Sequence, residues 1–413
     1  MKSRMLICAA LGCLWAAMPQ VAGAADDEAK IQELERKLDQ MSERLKQLES
    51  GAPAHPAAAA PAAEAPMPQM TGMSGMDAAL SGPGVPFHGF ADVGGGFQQH
   101  GQSGFTTGSF DIYLAPQFND RVRTLVEAVI EFGEDGEPGI DLERLQIGYA
   151  YSDALTLWLG RFHTPFGYYN TAFHHGKLMQ TSIEKPRFLN FEDDGGVMPS
   201  HTVGTWATGT FPLGGGNRIT YDAYLGNSPS IKDGALDMNN LASQNNVASR
   251  GLNLAYQGLG GNLRLGGHYY RATVVDDTVP ANDTKLSFVG PYAVFDDGVW
   301  EVIYEYYRWN NENIVSTTGA PLGEHRSTAW FAQVGRRFGQ WMPYARYEKG
   351  SFNQDDNFFA LLEGGRSYTR KLAGVRYDIN PRAAFTVEAF RTEQDELVGP
   401  DYNELRFQYA IGF

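Results

Sequence analysis

The chain ends Asn403-Glu404-Leu405-Arg406-Phe407-Gln408-Tyr409-Ala410-Ile411-Gly412-Phe413. Leu405, Phe407, Tyr409, Ile411 and Phe413 alternate with Glu404, Arg406, Gln408 and Ala410, so an extended strand here turns one oily and one polar face. Working back from that end, the alternation recurs. Trp300, Val302, Tyr304 and Tyr306 oppose Glu301 and Glu305, and Leu263, Leu265 and Tyr269 oppose Arg264 and His268. Leu145, Ile147, Tyr149 and Tyr151 oppose Arg144 and Gln146, while Val122, Thr124, Val126, Ala128, Ile130 and Phe132 oppose Arg123, Glu127 and Glu131.

From Phe87 onward the pattern resolves into sixteen segments: 87–98, 104–118, 121–133, 140–152, 154–164, 202–213, 217–228, 249–259, 261–274, 284–296, 299–313, 327–339, 341–353, 366–379, 381–396 and 403–413. Their connections alternate between tight turns, such as Asn119-Asp120, Ser152-Asp153, Asp297-Gly298 and Gly339-Gln340, and longer links, the longest at 165–201. Short turns at one rim and long loops at the other describe an antiparallel transmembrane barrel with periplasmic turns and extracellular loops. Backbone amides in hydrocarbon must all be paired, so such a sheet has to close on itself. Closure sends the apolar set to lipid and the ionisable set to the lumen, which in a sixteen-stranded barrel is too wide for side chains to fill. The expected lumen-facing residues are Arg123, Glu127, Glu131, Arg144, Arg264, Glu301, Glu305, Arg376 and Arg406. The arginines form an anion-attracting ladder or pair with the glutamates across the wall, and the sequence leaves both readings open. Aromatics near strand ends, among them Tyr149, Trp158, Trp330 and Trp341, suit interfacial girdles.

The long link contains Phe166-Gly167-Tyr168-Tyr169-Asn170, His174, His175, Lys177, Lys185, Arg187, Glu192, Asp193, Asp194 and His201. Loops of this length are functional or disordered. The stretch Leu159-Gly160-Arg161-Phe162-His163-Thr164-Pro165-Phe166-Gly167 resembles the Gly-Arg, then Pro-Phe-Gly passage of phosphate-selective porins, and Phe413 after Tyr409 and Ile411 resembles a signal read by the outer-membrane assembly machinery. The resemblance to the porin superfamily implies that loop 165–201 folds inward and constricts a pore for small hydrophilic, in one variant anionic, solutes. On that reading Lys177, Lys185, Arg187, Glu192, Asp193 and Asp194 set the field of the constriction. It also implies a bilayer and lipopolysaccharide environment in the outer membrane of a Gram-negative cell. The rival function is a structural scaffold or envelope tether with a plugged lumen.

Upstream, Lys2 and Arg4 precede an apolar run from Met5 to Met18 and the small residues Val21-Ala22-Gly23-Ala24, which reads as a signal peptide over 1–24. Ile31, Leu34, Leu38, Met41, Leu45 and Leu48 form an a/d heptad stripe, so 25–50 is expected to be a coiled-coil helix in the periplasm. A helix packed on another surface is the alternative. With the barrel, the coiled coil resembles dicarboxylate-type porins, which implies a homotrimer. Residues 51–86 hold seven prolines and no Lys or Arg, a linker in which Met67, Met70, Met73 and Met76 offer thioethers that suit Cu(I).

Removing Lys2 and Arg4 leaves 31 basic residues against 48 acidic, a net charge of −17 that argues against a nucleic-acid partner. Both cysteines, Cys8 and Cys13, fall within the signal, so no thiol chemistry is expected of the mature chain. No Ser-centred elbow or cofactor loop stands out, and Gly94-Gly95-Gly96 lies in the first strand, so no enzyme activity and no cofactor are expected. His163, His174, His175 and His201 could be drawn together with Asp193 and Asp194 as a metal site, but spacing in an irregular loop does not fix geometry. They read as a solvated or lumen-facing cluster, with no metal.

Overall fold

The computed structural model describes Arg36, which is helical, and residues 87–413 apart from 102, 117, 133–137, 175, 193–194, 238–246, 277–281 and 396–397. Apart from Arg36, the expected signal peptide, coiled coil and methionine-bearing linker lie outside the described residues.

Alternation of apolar and polar side chains gives long antiparallel strands, each hydrogen-bonded to the next in the chain. They are β1 (Phe87–Gln98), β2 (Ser103–Leu114), β3 (Val122–Phe132), β4 (Pro138–Ser152), β5 (Leu155–His163), β6 (His201–Gly214) and β7 (Asn217–Asn227), then a short hairpin of β8 (Ser230–Lys232) and β9 (Ala235–Leu236). There follow β10 (Ala248–Gly258), β11 (Leu263–Asp276), β12 (Asn282–Asp296), β13 (Trp300–Val315), β14 (Pro321–Arg336), β15 (Trp341–Ser351), β16 (Tyr368–Asn380), β17 (Ala383–Gln394) and β18 (Tyr402–Gly412). Because β7 pairs directly with β10, the β8–β9 hairpin stands off the wall, which is made of the other sixteen strands. The hairpin docks in parallel on the end of β11, Ser230 opposite Val275.

The sheet closes. β1 pairs with β18 from Phe90 opposite Gly412 to Gln98 opposite Glu404, and Gly89 and Phe413 exchange backbone hydrogen bonds of 2.9 Å. No row of amides is left at an open edge, as a bilayer demands. Side-chain placement fits that setting. Leu145, Ile147, Leu157, Leu159, Leu225, Leu254, Val302, Val375 and Ile411 are exposed on the outer face. A water-soluble protein rarely presents so continuous an apolar belt. No helix among the described residues is long and apolar enough to cross a membrane.

At the rim of short turns, Gly298 adopts a positive φ of 81° that a side chain would strain, while the Asp297 carboxylate accepts from the amides of Val299 and Trp300 at 2.9 and 2.6 Å. At the opposite rim the connections are longer, and the one after β5 spans 164–200. That segment turns into the barrel. On β12–β14 the inward side chains Phe288, Ile303, Tyr307, Trp309 and Phe331 are apolar and fully buried beneath it, so the inner wall is not uniformly polar. The connection after β15 adds a short helix, Asn357–Leu361, whose Phe359 packs edge-on to Trp309 at 5.5 Å.

Candidate functional site

The inturned loop is built from its base. The Thr164 amide donates to the Ser200 carbonyl at 2.8 Å, the Thr164 and Thr202 hydroxyls meet at 2.8 Å, and the Asn170 amide group donates to the Thr164 and Ser200 carbonyls. Pro165-Phe166-Gly167 then turns the chain inward. Gly167 has φ +59°, its amide donates to His268 Nδ1 at 3.1 Å and its carbonyl accepts from Asn253 at 3.0 Å. A Cβ at this position would strike the Glu305 carboxylate and the Tyr307 hydroxyl, so glycine is required.

From there the loop is tied to inward residues around the barrel. Glu305 accepts the amides of Tyr168 and Tyr169 at 3.0 and 2.6 Å, and Glu301 accepts the Thr181 hydroxyl at 2.8 Å. Glu388 accepts the Ile183 amide, Glu348 the Arg187 amide, and Asp111 the Gly176 amide. Arg346 reaches the Ser182 hydroxyl and the Glu184 and Lys185 carbonyls, Arg376 the Gln180 carbonyl, and Arg406 the Glu184 carboxylate. Since Glu301 stands one residue into β13 from the short turn, the loop descends most of the barrel's depth.

Of the nine residues expected on the lumen face, Glu127, Glu301, Glu305 and Arg376 are buried. Several hold the loop instead of lining open water: Glu301, Glu305, Arg376 and Arg406 are its anchors, Arg264 lies 5.6 Å from the Tyr168 ring, and Arg144 pairs with Glu127. Of the arginine–glutamate pairing across the wall weighed from sequence, Glu127–Arg144 joins neighbouring strands, whereas Glu404 and Arg406 pair along one strand, β18.

The loop residues expected at the constriction are placed unequally. Lys177 is partly buried, with its ammonium donating to the Ile183 carbonyl at 3.4 Å, and Arg187 lies over the Tyr368 ring while reaching Gln394 at 3.0 Å. Lys185 and Glu192 are buried at 6% and 2% exposure, Lys185 with its ammonium 3.0 Å from the Phe191 ring centre and Glu192 accepting the His201 amide. Neither presents its charge to open solvent. Asp193 and Asp194 lie outside the described residues. Within the loop, burial alone would push the Glu184 carboxyl up, but Arg406, Lys177, Arg370 and Arg346 outweigh burial and hold it below its ordinary value.

Sequence reasoning missed the anchors Arg346, Glu348 and Glu388, and with them Arg370, which lies 4.0 Å from Glu348. They share the alternating inward face of β15–β17, so periodicity could have found them. It also gave the loop histidines as solvated or lumen-facing. His163, His174 and His201 are instead buried side by side with Glu143, because the loop base folds over the wall there; His175 lies outside the described residues.

Comparison with solved structures places this architecture among outer-membrane channels. The outer membrane channel DcaP of Acinetobacter baumannii superposes with a TM-score of 0.56 at 11% identity, over 80% of this chain and 97% of that one. The anion-selective porin from Comamonas acidovorans gives 0.54 at 12% identity, over 80% and 99%. OmpF of Salmonella typhi, in complex with daunomycin, gives 0.52 at 14% identity, over 80% and 97%. No protein-family model and no curated protein matches the sequence. The chain has the fold of the outer-membrane porins, as the closing strand and the Pro165-Phe166-Gly167 turn led one to expect.

Proposed function

We propose that the protein is a porin of the Gram-negative outer membrane, passing small hydrophilic solutes through a lumen narrowed by loop 164–200. The observation that carries this reading is the loop itself, which leaves the long-loop rim and is hydrogen-bonded to inward residues on the far wall. Anionic solutes are favoured by the inward arginines Arg346, Arg370, Arg376 and Arg406, gathered on β15, β16 and β18, with Lys177 and Arg187 facing them from the loop. The Comamonas relative in fold is described as anion-selective, in keeping with this. Export, trimeric assembly, contact with lipopolysaccharide and a periplasmic helix over 25–50 belong to the same reading, which assigns no enzymatic step.

The plugged scaffold also has an observation behind it: the aromatic packing of Phe166 and Phe188 of the loop against Phe288, Tyr307 and Trp309 of the wall. Planar-bilayer recording of the purified protein separates the two. Stepwise conductance that phosphate or dicarboxylates partly block supports the porin, whereas silent insertion would mean a scaffold.

A further inference from the structure

Three neighbouring strands and the loop bring four ligand-type side chains to one point. His163 closes β5 and pairs directly with His201, which opens β6. Glu143 comes from β4 through a β-bulge: Glu127 pairs with Arg144 and Ala128 with Leu142, so Glu143 is the extra residue. By strict alternation it would share the lipid face of Leu145, but the bulge re-aims it inward. His174 descends from the loop and stacks on His163, with ring centres 3.6 Å apart. All four are buried, and one donor atom from each lies within 4.8 Å of every other.

Hydrogen bonds fix which atoms of His174 and His201 face the centre. The Asn170 amide group donates to two carbonyls, so its Oδ1 must accept, and His174 Nδ1 at 3.1 Å must carry the proton. That turns the lone pair of His174 Nε2 toward His201 Nε2, 2.9 Å away. His201 Nδ1 faces the Glu192 carboxylate at 3.3 Å, and its Nε2 lies 2.5 Å from Glu143. Two imidazole nitrogens and a carboxylate oxygen, all electron-pair donors, therefore converge. Carboxylate or amide groups behind the rings are how protein metal sites orient imidazole ligands.

The geometry points to a closed, four-donor site for a divalent transition-metal ion of the zinc class, formed by Glu143, His163, His174 and His201 and clamping the loop to the wall. Metal–nitrogen bonds of about 2.0–2.1 Å set tetrahedral donors about 3.3 Å apart, and the distances seen bracket that value. Imidazole and carboxylate donors suit zinc, cobalt or nickel over calcium or magnesium. With four protein donors no coordination position remains for a reacting water, so the ion is structural. This site is independent of whether solutes pass through the lumen.

The test uses the full chain without a histidine tag, folded in detergent, stripped with EDTA and titrated with zinc sulfate by calorimetry and with cobalt(II) by visible absorption. One ion per chain is expected, with an intense tetrahedral cobalt spectrum that zinc abolishes. His174→Ala and Glu143→Gln should each lose the ion, and His325→Ala, at the outer rim, should keep it. Asn170→Ala removes no ligand and should weaken binding by about 10- to 100-fold. Folding of each variant is checked by its heat-modifiable electrophoretic mobility. No stoichiometric binding by the stripped wild type would mean a proton, not a metal, joins His201 to Glu143, and would overturn the proposal. Wild-type affinity in His174→Ala would do so too. Should His174→Ala fail to fold, unchanged affinity in Asn170→Ala decides against the site.

Discussion

Glu305 sets the loop's entry into the barrel, because one carboxylate takes two consecutive loop amides and the Tyr307 hydroxyl, all with little exposed surface. Glu305→Ala would leave two buried N–H groups without their acceptor, at about 1–3 kcal/mol each. We expect a lower urea midpoint and noisier open-channel current, and an unchanged midpoint would refute the anchoring role. Glu184, further along the loop, titrates in a predictable sense. Its folded pKa is depressed, so its stabilising contribution is complete above the ordinary value of 4.5 and is lost as pH falls through the lower folded value. Acidification below 4.5 should therefore loosen the loop from Arg406 and raise current noise. Glu184→Gln should already be noisy at neutral pH and show a smaller acid response; equal acid responses in both proteins would rule this out.

At the scale of strands, the period-two pattern reports burial on one side and lipid on the other, and it fails wherever that contrast ends. The closing strand was legible because lipid and lumen lie on its two faces. Reading 327–339 as a strand missed Pro321–Arg326 of β14, whose outward Glu324 and Arg326 lie beyond the apolar belt and look like loop residues. The β8–β9 hairpin was missed because its strands are two or three residues long, too short to show a period. Glu143 was missed because a bulge shifts parity by one, and nothing in Leu142-Glu143-Arg144 announces it. The same contrast gives a quantitative expectation. Leu159, 67% exposed on the outer face of β5, sits in hydrocarbon, so Leu159→Arg should cost about 2–4 kcal/mol. Asn310, on the outer face of β13 beyond that belt, should tolerate arginine. Equal refolding yields of the two variants in lipid vesicles would show that the belt is misplaced.

For the whole molecule, closure turns a one-dimensional pattern into an inside, and the loop then decides what that inside can do. The sequence marked this loop by its length and by Pro165-Phe166-Gly167, but not which of its charges face water, since that depends on the inward arginines and aromatics it meets. Lys185 and Arg187 are two residues apart yet differ in setting: Lys185 is buried against Phe191, whereas Arg187 lies partly exposed between Tyr368 and Gln394. Reversing each charge should therefore give different failures. Arg187→Glu leaves the fold intact and places an anion where a cation stood in the lumen field, so the reversal potential in a salt gradient should move toward cation preference. Lys185→Glu removes a desolvated cation–π contact of about 2 kcal/mol and buries a carboxylate close in sequence to Glu192. Its main effect should be a lower unfolding midpoint. If Lys185→Glu instead shifted selectivity at full stability, the loop would have to sit with its Phe191 face turned to the lumen, and the path of permeation would run on the other side of it.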